Sequence, residues 1–174
     1  MALDSEQRAI VGGIAPALLI SIGAIALGVF TDISWLSASG MEERLRLLAL
    51  ASIFPALCLI AVVGRMGNQR FYEPLDRNAA ASDTHSPRAD MLQAILRNTH
   101  EQVVIAFLVY AITAMLLPHM WLETILYCSL LFLIGRIAFS LGYARGAGGR
   151  AFGFGLTFYP SIFLLLLLIA AIFN

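Results

Sequence analysis

The chain has 174 residues, 60% of them hydrophobic and 13% charged, with a mean hydropathy of +0.84; soluble domains run nearer about half apolar and about a quarter charged. Its 11 basic and 11 acidic residues cancel to a net charge of zero. So little polar surface excludes a water-soluble globule and a disordered tail, and a neutral chain lacks the field that gathers nucleic acid.

A helix crossing the hydrocarbon needs about 20 apolar residues, and the apolar residues fall in runs of that order. The first covers residues 10–30, broken only by Gly, Pro16 and Ser21. It is longer than the apolar stretch of a signal peptide and no small-residue cleavage site follows, so it reads as a retained helix. The second covers residues 45–64 and contains Pro55. The third covers residues 103–117, with a polar helical lead-in from about Asp90. The fourth covers residues 122–143, interrupted by Arg136, and the fifth residues 152–173. These runs predict an all-α integral membrane protein with five spans. The stretch 66–90, with Pro74 and Pro87, reads as a mobile cytoplasmic connector in which Ser86-Pro87 starts the next helix.

All 11 basic residues are Arg, and their placement gives an orientation. Arg65, Arg70, Arg77, Arg88 and Arg97 flank the connector, and Arg145 and Arg150 lie between runs four and five. The turn at Pro118-His119 has none. The Arg-rich end and the N-terminus are therefore expected in the cytoplasm, with Trp35 and Trp121 in the aromatic belt on the far side. Basic usage limited to Arg fits a GC-rich bacterial genome, hence a bacterial inner membrane.

Cys58 and Cys128 lie inside apolar runs and read as small hydrophobes. His100 and His119 are nineteen residues apart, about 28 Å along a helix, too far to clamp one haem; His85 lies in the connector, and no metal site is expected. The stretch Gly146-Ala147-Gly148-Gly149 lacks the strand and the Lys-Ser/Thr of a phosphate loop and reads as a tight turn between helices. The informative residues are the polar ones near the membrane, where charge is costly. Arg97, Asn98 and Glu101 lie at spacings that place them together on a helix. Arg136, Phe139, Ser140 and Tyr143 form a stripe at intervals of three, four and seven. Arg136 is the deepest charge and needs a partner, for which Glu101 lies at comparable depth. Together these residues describe an Arg-rich pocket suited to a ligand with carboxylates.

Residues 96–102, Leu-Arg-Asn-Thr-His-Glu-Gln, resemble the Asn-x-x-Glu signature of the MAPEG family (membrane-associated proteins in eicosanoid and glutathione metabolism). Residues 142–150, Gly-Tyr-Ala-Arg-Gly-Ala-Gly-Gly-Arg, resemble the helix end of its leukotriene-C synthase and microsomal glutathione transferase branches, and Arg65 matches the Arg at the end of the family's first helix. The resemblance covers about residues 45–173. It implies a four-helix domain over residues 45–174, with residues 1–44 as an extra N-terminal transmembrane helix and outer loop. It also implies a homotrimer in contact with membrane lipid, with glutathione as co-substrate. By residue, Arg65, Arg97, Asn98, Glu101, Arg136 and Tyr143 would bind glutathione, and Arg150 would be catalytic, holding the thiol as thiolate. A thiol with pKa near 8.5 is mostly protonated at neutral pH, and a guanidinium beside it favours the anion. Three positions depart from the family's habit: Ala94 where Arg is frequent, Gln102 where an aromatic is common, and Phe139 where Tyr or His is common.

The expected function is that of a glutathione-dependent transferase or peroxidase acting on lipophilic electrophiles. The alternatives are a non-catalytic scaffold of the same fold that binds lipid or a partner protein, and a small transport or proton-relay protein using Arg136, Glu101 and His100. The last is disfavoured because no buried charge is expected at the far end to continue a path.

Overall fold

A computed structural model describes residues 3–31, 40–77 and 85–173. The described residues are almost all helical, with no strand among them. The helices are α1 (Ser5–Phe30), α2 (Met41–Tyr72), the short α3 (Pro74–Arg77), α4 (Pro87–Leu116), α5 (Thr124–Gly142) and α6 (Gly146–Phe173), with 3-10 turns at His119–Trp121 and Tyr143–Arg145. Four continuous stretches are long and apolar enough to cross a membrane, the last being His119–Phe173 with 55 residues. That stretch would be about 80 Å long if straight, against roughly 30 Å of hydrocarbon. It instead folds back at Tyr143–Gly146, where Gly146 has φ 81°, a backbone region that favours glycine. The expected five spans are thus present.

The helices outrun the apolar runs. α2 continues through Met66 to Tyr72, so the first part of the expected connector is helix. α3 occupies residues 74–77, and Ser86 caps α4 through its hydroxyl, with Pro87 in the first turn. Asp76 holds this end together: one carboxylate oxygen accepts from Gln69 Nε2 (2.9 Å) and Ser86 Oγ (2.7 Å), and the other from the Ser86 amide (2.9 Å). The Gln69 side-chain bond, then the two Ser86 bonds, hold its carboxyl below the usual value. At the opposite end Arg44 donates to the carbonyls of Ala114, Met115 and Leu117, satisfying the terminal acceptors of α4 with a cation, as the helix dipole favours.

The core lies between α2, α4, α5 and α6, around Leu47, Tyr110, Phe132 and Leu164. Pro55 lacks an N–H and so frees the Ala51 carbonyl one turn earlier. Ser129 of α5 donates to that carbonyl, replacing the missing bond inside an apolar bundle. α5 and α6 run antiparallel and very close. A Cβ added at Gly153 would lie 2.6 Å from both Gly135 O and Phe139 Cα.

α1 packs chiefly on α6, and parallel to it, since successive contacts advance together along both chains. A Cβ on Gly148 would lie 2.7 Å from Ala9 Cβ, one on Gly13 3.0 Å from Ala151 Cβ, and one on Gly155 2.7 Å from Ala17 Cβ. Ala9, Gly13, Ala17 and Ser21 recur every four residues on α1, the small-residue spacing that lets transmembrane backbones approach. Trp121 stands in the 3-10 turn at the far end; Trp35 lies outside the described residues. The far end also buries Glu123 to 3% exposure, with Oε2 unpartnered, so it does hold a buried charge-bearing side chain, contrary to expectation.

Candidate functional site

Three of the expected site residues meet at one pocket of about 430 Å³ at the Arg-rich end of the bundle. Asn98 reaches it from α4, Tyr143 from the turn after α5, and Arg150 from α6. Arg150 belongs to the second turn of α6, and its guanidinium carbon lies 4.7 Å from the centre of the Tyr143 ring, a cation–π contact that fixes its direction. Ala147, in the first turn of α6, also lines the pocket, so the pocket lies beside the positive end of the α6 dipole. The Gly-rich stretch divides its work: Gly146 makes the turn, while Gly148 and Gly149 are already helix, packed on Ala9 and on Arg145 respectively.

Arg136 stands behind the pocket, 2% exposed. Its Nη1 donates to Asn98 Oδ1 at 2.9 Å and its Nη2 to Thr157 Oγ1 at 2.8 Å; Nε is unpartnered. The Phe139 ring centre lies 4.3 Å from its guanidinium carbon. A guanidinium only donates, so the Asn98 atom facing it must be the carbonyl oxygen. The Asn98 amide nitrogen is left to donate to a ligand in the pocket.

The expected Arg136–Glu101 pair does not form; among the described residues Glu101 has no partner. The reason is the rotation of α4. Its buried face runs through Ile95, Thr99, Gln102 and Ala106, with Asn98 at its edge. Arg97 and Glu101 fall on the exposed side with Val104 and Leu108. Arg97 and Glu101 therefore lie outside the pocket of Asn98, Tyr143 and Arg150. Arg65 lies outside it too, in a separate groove of about 460 Å³ between α2 and α5 that also reaches Arg136 and Ser140. Arg136 thus touches both sites, one directly and one through Asn98.

Sequence reasoning missed Thr157, Phe154, Ile10 and Ile14. Arg150, Phe154 and Thr157 follow one another at four and three residues, a stripe readable along α6. Ile10 and Ile14 of α1 also line the pocket; the small-residue repeat beside them was the signal that α1 docks.

Comparison with protein families matches the MAPEG family over residues 45–170. The chain is a member of the MAPEG family. The match begins within α2 and ends within α6, so it covers the four-helix part and leaves α1 outside. Comparisons with curated proteins and with solved structures find no match. Membership of the family ties this membrane protein to glutathione- or eicosanoid-related chemistry in general terms, and the fold is the all-α membrane bundle expected of it.

Proposed function

We propose that this MAPEG protein is a membrane-bound glutathione-dependent transferase or peroxidase for lipophilic electrophiles. The carrying observation is the convergence of Asn98, Tyr143 and Arg150, from three parts of the chain, on one pocket whose other walls are apolar. A pocket of about 430 Å³ is within the usual size for small-ligand sites. Its donors, the Asn98 amide and the Tyr143 hydroxyl, suit the carboxylates and peptide groups of glutathione. Arg150, backed by the α6 N-terminus, favours the thiolate; each unit of thiol pKa lowering corresponds to about 1.4 kcal/mol. The thiol proton leaves to solvent. The sulfur then gives an electron pair to the electrophilic carbon, and the bond to the leaving group breaks with its electrons.

Arg65, Arg97 and Glu101 fit this reading as contributions between neighbouring subunits of a homotrimer, since all three are exposed in one chain. The Arg-rich end would face the cytoplasm.

Ultraviolet thiolate absorbance of glutathione titrated into the purified protein tests the reading. A saturable signal is expected with the wild type and its loss with Arg150→Ala. Saturable binding without any thiolate signal would overturn the catalytic role. The groove holding Arg65, Arg136 and Ser140 at its polar end and Leu57, Ala61 and Leu133 along its wall favours the second reading, a non-catalytic site for an anionic lipid. That reading predicts bound lipid in mass spectra of the purified protein and no thiolate.

A further inference from the structure

α1 lies outside the family match, yet it supplies part of the pocket that holds Arg150. Ile10 and Ile14 are one turn apart on α1 and line the pocket together with Phe139, Ala151 and Phe154. The adjoining seam allows α1 little freedom to slide. Gly13 backs onto Ala151 and Phe152, and Gly148 and Gly155 of α6 back onto Ala9 and Ala17. The two isoleucines are half-buried, held at the rim of the pocket rather than packed away in the core. The pocket thus has two chemistries. Asn98, Tyr143 and Arg150 offer hydrogen bonds and positive charge, while α1 with Phe154 offers only hydrocarbon. Glutathione, with its charged ends, gains nothing from the second part. A hydrocarbon group joined to its sulfur gains by leaving water.

We propose that α1 is the wall of an apolar subsite beside Arg150, and that Ile10 and Ile14 set the size of the hydrocarbon group that the glutathione sulfur attacks or carries away. This rests on the glutathione reading above and extends it to the substrate class: electrophiles with a slim alkyl or aryl portion. The α1 wall belongs to the same chain as Arg150.

The test is calorimetric titration of the full-length protein in lipid nanodiscs with glutathione and with S-hexylglutathione, a product analogue without a free thiol. In the wild type the hexyl compound is expected to bind about tenfold more tightly or better, since two buried methylenes already give about that factor. Ile14→Trp, which fills the subsite and keeps the wall apolar, is expected to weaken the hexyl compound by at least about tenfold more than glutathione, erasing the advantage. Ile10→Ser, which keeps the space and weakens the wall, is expected to reduce it. Thermal unfolding identifies a variant that fails to fold; the other variant then carries the comparison. If the hexyl advantage survives in the folded variants, or if both ligands weaken equally, the α1 subsite is overturned and the glutathione reading stands. If the wild type binds neither compound, both fall together.

Discussion

Arg136 shows how one buried cation organises three helices. It draws Asn98 of α4 and Thr157 of α6 to α5, and Thr157 keeps a helical partner in the Phe154 carbonyl at 2.9 Å. Charged hydrogen bonds contribute about 1.5–3 kcal/mol in soluble proteins, and interhelical ones in bilayers average nearer 0.6. A double-mutant cycle of Arg136→Met with Asn98→Ala, read by thermal unfolding, is therefore expected to show a coupling of about 1 kcal/mol; strict additivity would mean the bond does not form. The need of Arg136 for a partner was legible in the sequence, because a lone Arg in an apolar run must be satisfied. The choice between Asn98 and Glu101 was not. Residues three apart differ by about 60° in direction around a helix, and nothing in the run of residues 90–102 says which edge turns inward.

At the scale of the element, hydropathy located every membrane helix but not its ends. Glu42, Glu43 and Arg44 at one end of α2, and Gln69 and Arg70 at the other, are polar yet helical because 32 residues span about 48 Å and outreach the hydrocarbon. Asp76 lies just beyond α2, in α3. Its folded carboxyl titrates below the ordinary value of 3.8, so its contribution is fully present above that value and is lost as pH falls through the lower folded one. Acid protease cleavage between α2 and α4 is expected to rise sharply below pH 3.8, and in Asp76→Ala to be high already at milder pH. Equal cleavage of the two proteins across the range would contradict the latch. The α5–α6 contact is as specific. Gly153→Ala pushes a methyl group into the backbone of α5 and is expected to lower stability by about 1–3 kcal/mol. Gly64→Ala, with nothing within 4 Å, is expected to be neutral or stabilising by up to about 1 kcal/mol. Thermal unfolding of the two variants side by side checks the contrast.

On the whole molecule, a charged edge stands without a partner among the described residues of one copy. Arg97 and Glu101 stand exposed on α4 above Val104 and Leu108, an arrangement costly against lipid and reasonable against another copy. Native mass spectrometry is expected to find three chains of 18.9 kDa, and Glu101→Arg to shift the population toward single chains; a wild type that is monomeric throughout would contradict the assembly. The family and the number of spans were legible in the sequence, because short motifs and apolar runs are local signals. The small-residue repeat of α1 marked a docking face, but its partner was not legible, because that pairing depends on two faces far apart in the chain. The same separation bears on how the protein is made. Ala9 and Gly148 are roughly 140 residues apart, and contacts of such long range form late. α1 therefore precedes its partner during synthesis, and its small-residue face cannot be covered until α6 has been made. The wall beside Arg150 forms only once α6 is in place, so a chain cut short before α6 cannot form the pocket.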